Sequence, residues 1–273
     1  MPELPEVETI RTYIDEKAAG RRIENMIIYL PRLIKNRSGD ELKQALTGRR
    51  ITGCSRKGKY LFLHTDGAMS LLIHLRMTGS LLYETGKGEE IRAQRIIFML
   101  DTGRLIYRDI RTLGCLWLVP SVGLTGIQGY DTLGPDGNSP DFTAAYLYSK
   151  LKTTHRKIKP FLLDQTQVAG LGNIYVDEAL FLAGLRPSRR CDAISKAAVQ
   201  RLCEAIHTVL AEGLANGGTT VRNFIGGSGK EGQNQSHLRV YGREGKPCLA
   251  CGTTIRYVKL AGRGTHYCPH CQR

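Results

Sequence analysis

Four cysteines carry the clearest chemistry in the 273-residue chain: Cys248-x2-Cys251 and Cys268-x2-Cys271, with 16 residues between the pairs. Each pair can turn back on itself and present two thiolates to one ion. Two such knuckles complete a tetrahedral four-sulfur site of the kind zinc takes. With thiolate at every position the ion has no open place for a substrate, so its work is structural. The intervening GTTIRYVKLAGRGTHY reads as two strands around an AGRG turn, a hairpin with Arg263 at its tip. Disulfides are the alternative. The other four cysteines, Cys54, Cys115, Cys191 and Cys203, show no pairing logic and are expected to fill cores.

The second reactive grouping is acidic, in a chain otherwise basic. MPELPEVET places Pro2, Glu3 and Glu6 together at the start. Removal of Met1 is expected, because proline is small, and would expose a secondary amine on Pro2. Such an amine is a nucleophile toward a carbon that can become an iminium. An α-amino group, with an ordinary pKa of about 8, keeps a useful unprotonated fraction at neutral pH. Carboxyl groups beside it can move protons to and from the amine and a sugar oxygen. The same residues also read as helix punctuation, with Pro5 in a first turn and Glu6 and Glu8 complementing the helix dipole. The local pattern leaves both readings open.

These groups need a frame and a substrate of the right charge. Lys and Arg number 39 against 25 Asp and Glu, a formal charge of +14. Such an excess favours polyanions, through attraction to phosphates and release of their counterions. It is uneven: Lys150 to Lys159 holds five basic residues and no acid, and His237 onward holds seven and one Glu. One face of the second half is therefore expected to follow a phosphate backbone. No apolar run approaches membrane-spanning length and no signal-peptide pattern opens the chain, so no membrane association and a cytoplasmic location are expected.

Val7, Ile10 and Ile14 recur at helical spacing after Pro5, and Gly20 can end that helix. From Arg22 to about Val119 the chain runs in short strand-like pieces, among them RIENMIIYL, AMSLLIHLRMTGSLLY, QRIIFMLDT and GCLWLVP, with TDG and DTG turns between. One helical piece, SGDELKQALTG, interrupts them. The pattern predicts a two-layer β-sandwich or flattened barrel flanked by helices. The Gly- and Pro-rich stretch 120–140 reads as an inter-domain hinge. DFTAAYLYSKL, RKIKPFLLDQ, NIYVDEALFLAG and SKAAVQRLCEAIHTVLAEGLANG then show apolar spacing of three and four, and IGGSGKEGQNQS reads as a mobile loop.

MPELPEVET, HLRMTG, RDIRTLG, DQTQVAGLGNIYVDEALF and AGRGTHYCPHCQR, in that order along the whole chain, resemble the bacterial formamidopyrimidine-DNA glycosylases, whose family also contains endonuclease VIII. PEL rather than PEG at the start resembles the formamidopyrimidine branch. The resemblance implies an α+β fold in three parts. An N-terminal catalytic β-sandwich spans 1–130, a helix–two-turn–helix domain with a lesion-capping loop spans 131–236, and a four-cysteine zinc ribbon spans 237–273. It implies a monomer of the bacterial cytosol and nucleoid that acts on double-stranded DNA containing oxidised bases or abasic sites.

The implied activity is base-excision repair, removing oxidised purines such as 8-oxoguanine and formamidopyrimidines and then cutting the strand by β,δ-elimination. By the same resemblance Pro2 is the nucleophile at C1′ and Glu3 the acid/base, with Glu6 in support. Lys59, Asn173 and Arg263 would hold phosphates, with His74 a further DNA contact. Met77, Arg111 and Leu113 would fill the gap left by an extruded nucleotide, Arg111 meeting the estranged base. Thr220, Arg222, Asn223 and Phe224 open the loop over the flipped base. Cys248, Cys251, Cys268 and Cys271 would hold one zinc ion.

Three departures from the family pattern stand out: Thr78 in place of the acid of HLRMEG, Leu113 in place of a phenylalanine, and Asn223-Phe224 in place of Thr-Tyr. They bear on recognition rather than chemistry. The alternatives are a glycosylase of the same mechanism with another lesion preference, a non-catalytic damaged-DNA binder, and a basic protein of RNA–protein assemblies.

Overall fold

The computed structural model describes residues 1–86, 92–123, 125–220, 227 and 229–273. The chain forms two compact units: Met1–Thr132 with Asn216–Gln233, and Leu133–Ala215 with Asn234–Arg273.

The first unit opens with helix α1 (Leu4–Ala18), which has Pro5 in its first turn and buries Leu4, Val7, Ile10 and Ile14. Eight strands follow: β1 (Ile23–Ile28), β2 (Ile51–Lys57), β3 (Tyr60–Thr65), β4 (Met69–His74), β5 (Gly79–Glu84), β6 (Gln94–Leu100), β7 (Arg104–Asp109) and β8 (Cys115–Pro120). Helix α2 (Gly39–Leu46) lies between β1 and β2 in sequence, capped by the Ser38 side chain, which accepts from Glu41 N. A single helical turn, α3 (Gln128–Asp131), closes the segment.

The strands make two antiparallel four-stranded sheets in the orders β1-β6-β7-β5 and β2-β3-β4-β8. Alternate residues supply one shared core: Leu61 and Leu63, Leu71 and Ile73, Leu116 and Leu118 from one sheet, and Ile96 and Phe98, Leu105 and Tyr107, Leu81 and Tyr83 from the other. A period of two places every second side chain on the same face, so the sandwich follows from the alternation. Helix α1 fills the same core through Val7, Ile10 and Ile14. Cys54 belongs to it as well, and burial together with Asp15 pushes its thiol up to about 12. Cys115, Cys191 and Cys203 are likewise buried, as expected of core residues.

The chain passes between the sheets three times, from β1 to β2, from β4 to β5 and from β7 to β8. β4 and β8 are neighbours in one sheet, β5 and β7 in the other. The β4–β5 corner (residues 75–78) and the β7–β8 corner (residues 110–114) therefore cross side by side at one end of the sandwich.

The second unit holds α4 (Ala144–Lys152), α5 (Ile158–Leu162), α6 (Asn173–Leu182) and the 20-residue α7 (Lys196–Ala215), then the antiparallel ribbon of β9 (Arg256–Leu260) and β10 (Arg263–Tyr267). Ala261 and Gly262 join the ribbon, both at positive φ (48° and 76°), the backbone that a two-residue hairpin of this twist requires. No helix among the described residues is long and apolar enough to cross a membrane.

Candidate active site and metal centre

The start of α1 brings the acidic cluster and the chain's amine together. Glu3 and Glu6 are 3% and 1% exposed, and Pro2 is buried beside them. Glu6 spends both carboxylate oxygens on main-chain donors: Oε2 accepts from Glu3 N at 2.8 Å and Oε1 from Thr219 N at 2.7 Å. The first bond caps the helix and the second ties residue 219 to it. So helix punctuation describes Glu6 correctly, and the same bonds place its charge beside the terminal amine.

Burial holds the amine of Met1 below its ordinary pKa, with Lys59 and Arg111 acting in the same direction and Glu3 and Glu6 opposing. Four candidate residues thus act on one nitrogen. Lys59 lies in the β2–β3 turn and is 5% exposed. His74, the last residue of β4, accepts from Arg76 N through Nδ1 and meets the ring of Tyr60 edge-on at 4.5 Å. Burial, then the charges of Arg76 and Lys59, push its pKa down to about 3, so it is a neutral imidazole at physiological pH.

Met77, Arg111 and Leu113 occupy the two corners. Met77 is 41% and Leu113 47% exposed, high values for apolar side chains, and Arg111 is exposed between them in sequence. Each of the two apolar residues follows a residue in the left-handed region, Arg76 and Thr112, both at φ 54°. That backbone is unfavourable for a β-branched threonine and persists only when its surroundings enforce it.

In the second unit Asn173 is the first residue of α6, and its Nδ2 donates to the Gly264 carbonyl at 2.9 Å. Its Oδ1 is buried with no hydrogen-bond partner among the described residues. The same Gly264 carbonyl accepts from Lys159 Nζ at 2.7 Å, next to the exposed Arg263. Asn173 and Arg263 are thus joined through β10. Arg263 also lines a concavity with Arg156, Pro160, Leu163 and Asp164.

Lys159 departs from the expected phosphate-facing tract: it is fully buried and paired with Asp177 at 2.6 Å. Nothing local marks it, because its partner lies one helix away in sequence. Sequence reasoning also missed Glu178, a buried carboxylate that accepts from the main-chain N–H groups of Arg239, Val240 and Tyr241.

Of the loop residues, Thr220 accepts from Gly232 N through Oγ1 at 2.9 Å. Arg222, Asn223 and Phe224 lie outside the described residues.

Among the described residues the group able to hold a metal is Cys248, Cys251, Cys268 and Cys271, whose sulfur atoms all lie within 4.8 Å of one another. Two of the sulfur pairs stand at 3.5 and 3.9 Å. A tetrahedral zinc with Zn–S bonds of about 2.3 Å requires sulfurs roughly 3.8 Å apart, so the set fits the ion.

Three family models match the chain: the formamidopyrimidine-DNA glycosylase N-terminal domain over residues 1–116, the H2TH domain of the same enzymes over 133–225, and the zinc finger found in FPG and IleRS over 245–273. A formamidopyrimidine-DNA glycosylase of Pelotomaculum thermopropionicum is 43% identical over 100% of this chain and 99% of its own length. The chain belongs to the formamidopyrimidine-DNA glycosylase family.

Another family member, from Listeria innocua, is 39% identical with full coverage of both chains. Among solved structures, the Lactococcus lactis Fpg (MutM) in complex with N7-benzyl-Fapy-dG DNA superposes with a TM-score of 0.93 at 36% identity, covering 100% of both chains. The same bacterium's Fpg with abasic-site DNA gives 0.90 at 36% identity over 99% of each chain. The formamidopyrimidine-DNA glycosylase models thus extend across the sandwich, the helices α4–α7 and the ribbon, and the four-cysteine cluster is the zinc finger of that family with one structural ion.

Proposed function

We propose that this chain is a base-excision-repair glycosylase and abasic-site lyase that removes oxidised purines from double-stranded DNA. One observation carries the reading. In a chain of this family, Glu3, Glu6 and Lys59 are buried around a terminal amine whose proton is already weakly held. Removal of Met1 transfers that role to Pro2, whose ring nitrogen becomes a secondary amine.

The steps then follow from what each group can do. The Pro2 lone pair forms a bond to C1′, and the bond from C1′ to the base breaks, the base leaving with its electron pair and taking a proton. Glu3 protonates the ring oxygen as the sugar opens, which yields an iminium. Loss of a C2′ proton expels the 3′ phosphate, and a second elimination expels the 5′ phosphate. The burial and the Lys59 and Arg111 charges that act on the Met1 amine would likewise favour an unprotonated Pro2 nitrogen.

Lys59, Asn173 and Arg263 would hold phosphates around the extruded nucleotide, with His74 a further DNA contact, and Met77, Arg111 and Leu113 would fill its place in the stack. Thr220, Arg222, Asn223 and Phe224 would contribute to closure over the base. Zinc, bound by four thiolates, supplies structure and no chemistry. In this division of labour, residues 1–130 carry catalysis, 131–236 DNA binding and closure, and 237–273 the Arg263 hairpin. The enzyme would act as a monomer on chromosomal DNA in the cytosol and nucleoid.

A panel of duplexes tests the reading. Excision of 8-oxoguanine opposite cytosine and of ring-opened purine, leaving phosphate at both sides of the gap, is expected. Cutting of abasic DNA without excision of either base would place the preference on other lesions. Inactivity on all of them would leave a damaged-DNA binder.

A further inference from the structure

The two corners that carry Met77, Arg111 and Leu113 are joined by a single buried carboxylate. Asp109, the last residue of β7, is fully buried. Its Oδ1 accepts from Thr78 Oγ1 at 2.5 Å and from Arg111 N at 3.2 Å, and its Oδ2 accepts from Gly114 N at 2.8 Å. Thr78 in turn uses its hydroxyl twice, because the same Oγ1 that donates to Asp109 accepts from Arg111 N at 2.9 Å. Thr78 follows Met77 directly; Arg111 and Gly114 bracket Leu113. One hydroxyl and one carboxylate therefore span both turns.

The corners also share a packing constraint. A Cβ at Gly114 would lie 1.7 Å from the Tyr107 hydroxyl, and one at Gly79 would lie 2.7 Å from it. Only glycine lets both chains approach that ring so closely. The left-handed residues Arg76 and Thr112 immediately precede Met77 and Leu113, and Thr112 Oγ1 is held by Arg32 Nη2 at 2.7 Å. Backbone of this kind persists when neighbouring bonds over-determine it.

We propose that Thr78 is a positioning residue: its hydroxyl latches the β4–β5 corner to the β7–β8 corner through Asp109, so that Met77, Arg111 and Leu113 enter the base stack as one rigid unit. The inference rests on the wedge role proposed above for those three side chains. Thr78 supplies a donor and an acceptor from one hydroxyl, which an ionised carboxylate at the same place would not. A carboxylate at 78 would face the Asp109 carboxylate across the same gap, and neither could donate. Side chains that swing independently would fill the stack poorly.

The test compares Thr78→Val with Thr78→Ser in the full-length zinc-loaded enzyme. Valine keeps the shape and removes both hydrogen bonds; serine keeps them. Three quantities are read: excision on an 8-oxoguanine:cytosine duplex, lyase activity on a single-stranded abasic oligonucleotide, and fluorescence of a 2-aminopurine beside the lesion. The last reports unstacking directly.

Losing hydrogen bonds to a buried charge is expected to lower kcat/KM on the duplex about tenfold or more in Thr78→Val. Serine should stay within about twofold of wild type, given that it restores both bonds. Single-stranded cleavage, which needs no wedge, should change little in either variant, and the fluorescence rise should be slowed in valine alone. Equal duplex activity in valine and wild type would overturn the latch. So would an equal loss on single strands, which would mean general damage to the fold. A wild-type protein that unstacks the lesion without excising it would overturn the glycosylase reading instead, and the fluorescence comparison would then decide the latch.

Discussion

Lys159 Nζ lies 2.6 Å from Asp177 Oδ1, with both side chains wholly shielded from solvent. The pair also replaces a third strand beside the zinc ribbon. Lys159 donates to the Gly264 carbonyl, and Asp177 Oδ2 accepts from His266 N at 2.9 Å. Residues 264 and 266 are two apart on β10 and present their polar groups to the same side. The helical part of the second unit thereby fixes the strand that begins with Arg263.

Removing one partner leaves the other charge buried and unpaired, which costs about 3–5 kcal/mol. Lys159→Met and Asp177→Leu are each expected to destabilise the protein by that order. The double variant should lose less than the sum of the two. Urea titrations of the three variants check this, and additive losses would show that the pair does not act as a unit.

Glu6 offers a second structural test. Its two oxygens accept from Glu3 N and Thr219 N. In Glu6→Gln one of those N–H groups meets an amide N–H and loses its partner, at a cost of about 1–3 kcal/mol. A lower denaturation midpoint and faster proteolysis around residue 219 are expected. An unchanged midpoint would show that the anchor contributes little.

His74 sets a pH dependence. Its pKa falls to about 3 on folding through burial, against about 6.5 in the unfolded chain. Between those values the unfolded state binds the extra proton, so stability is fully present above the unfolded value and drains away as pH falls toward the folded one. The slope is about 1.4 kcal/mol per pH unit for one such group. His74→Asn keeps an acceptor for Arg76 N and removes the titration. The stability difference between wild type and variant should therefore shift in the variant's favour as pH drops from 7 to 4. A difference constant with pH would place His74 in a solvated environment.

Zinc should be present at one ion per chain in native mass spectra, as four thiolates within bonding distance of one centre require. Cys268→Ser or strong chelation is expected to unfold the ribbon, releasing Gly264 from Asn173 of α6 and weakening DNA binding. Undiminished binding after verified zinc loss would separate the ribbon from DNA recognition.

Much of this was legible in the residue order. Short strand-like runs such as QRIIFML between turn signals marked the strands, and the cysteine spacing marked the ribbon. AMSLLIHLRMTGSLLY, by contrast, reads as one strand-like piece, and the fold breaks it into β4 and β5 in different sheets. Short apolar runs stand on both sides of the corner, so the pattern carries no sign of the change. Asp109 and Asp177 were equally hidden. An acid in a strand or helix looks solvated until the donors that surround it are known, and those donors come from other elements.

Borohydride trapping bears most directly on the amine at the start of α1. Protein shown by mass to lack Met1 would be mixed with an 8-oxoguanine:cytosine duplex and with an abasic duplex, reduced, and digested. A covalent adduct on both DNAs, carried by the N-terminal peptide at Pro2, is the expected result. No adduct on either DNA, or an adduct carried by an internal lysine such as Lys59, would contradict the assignment of Pro2 as the nucleophile.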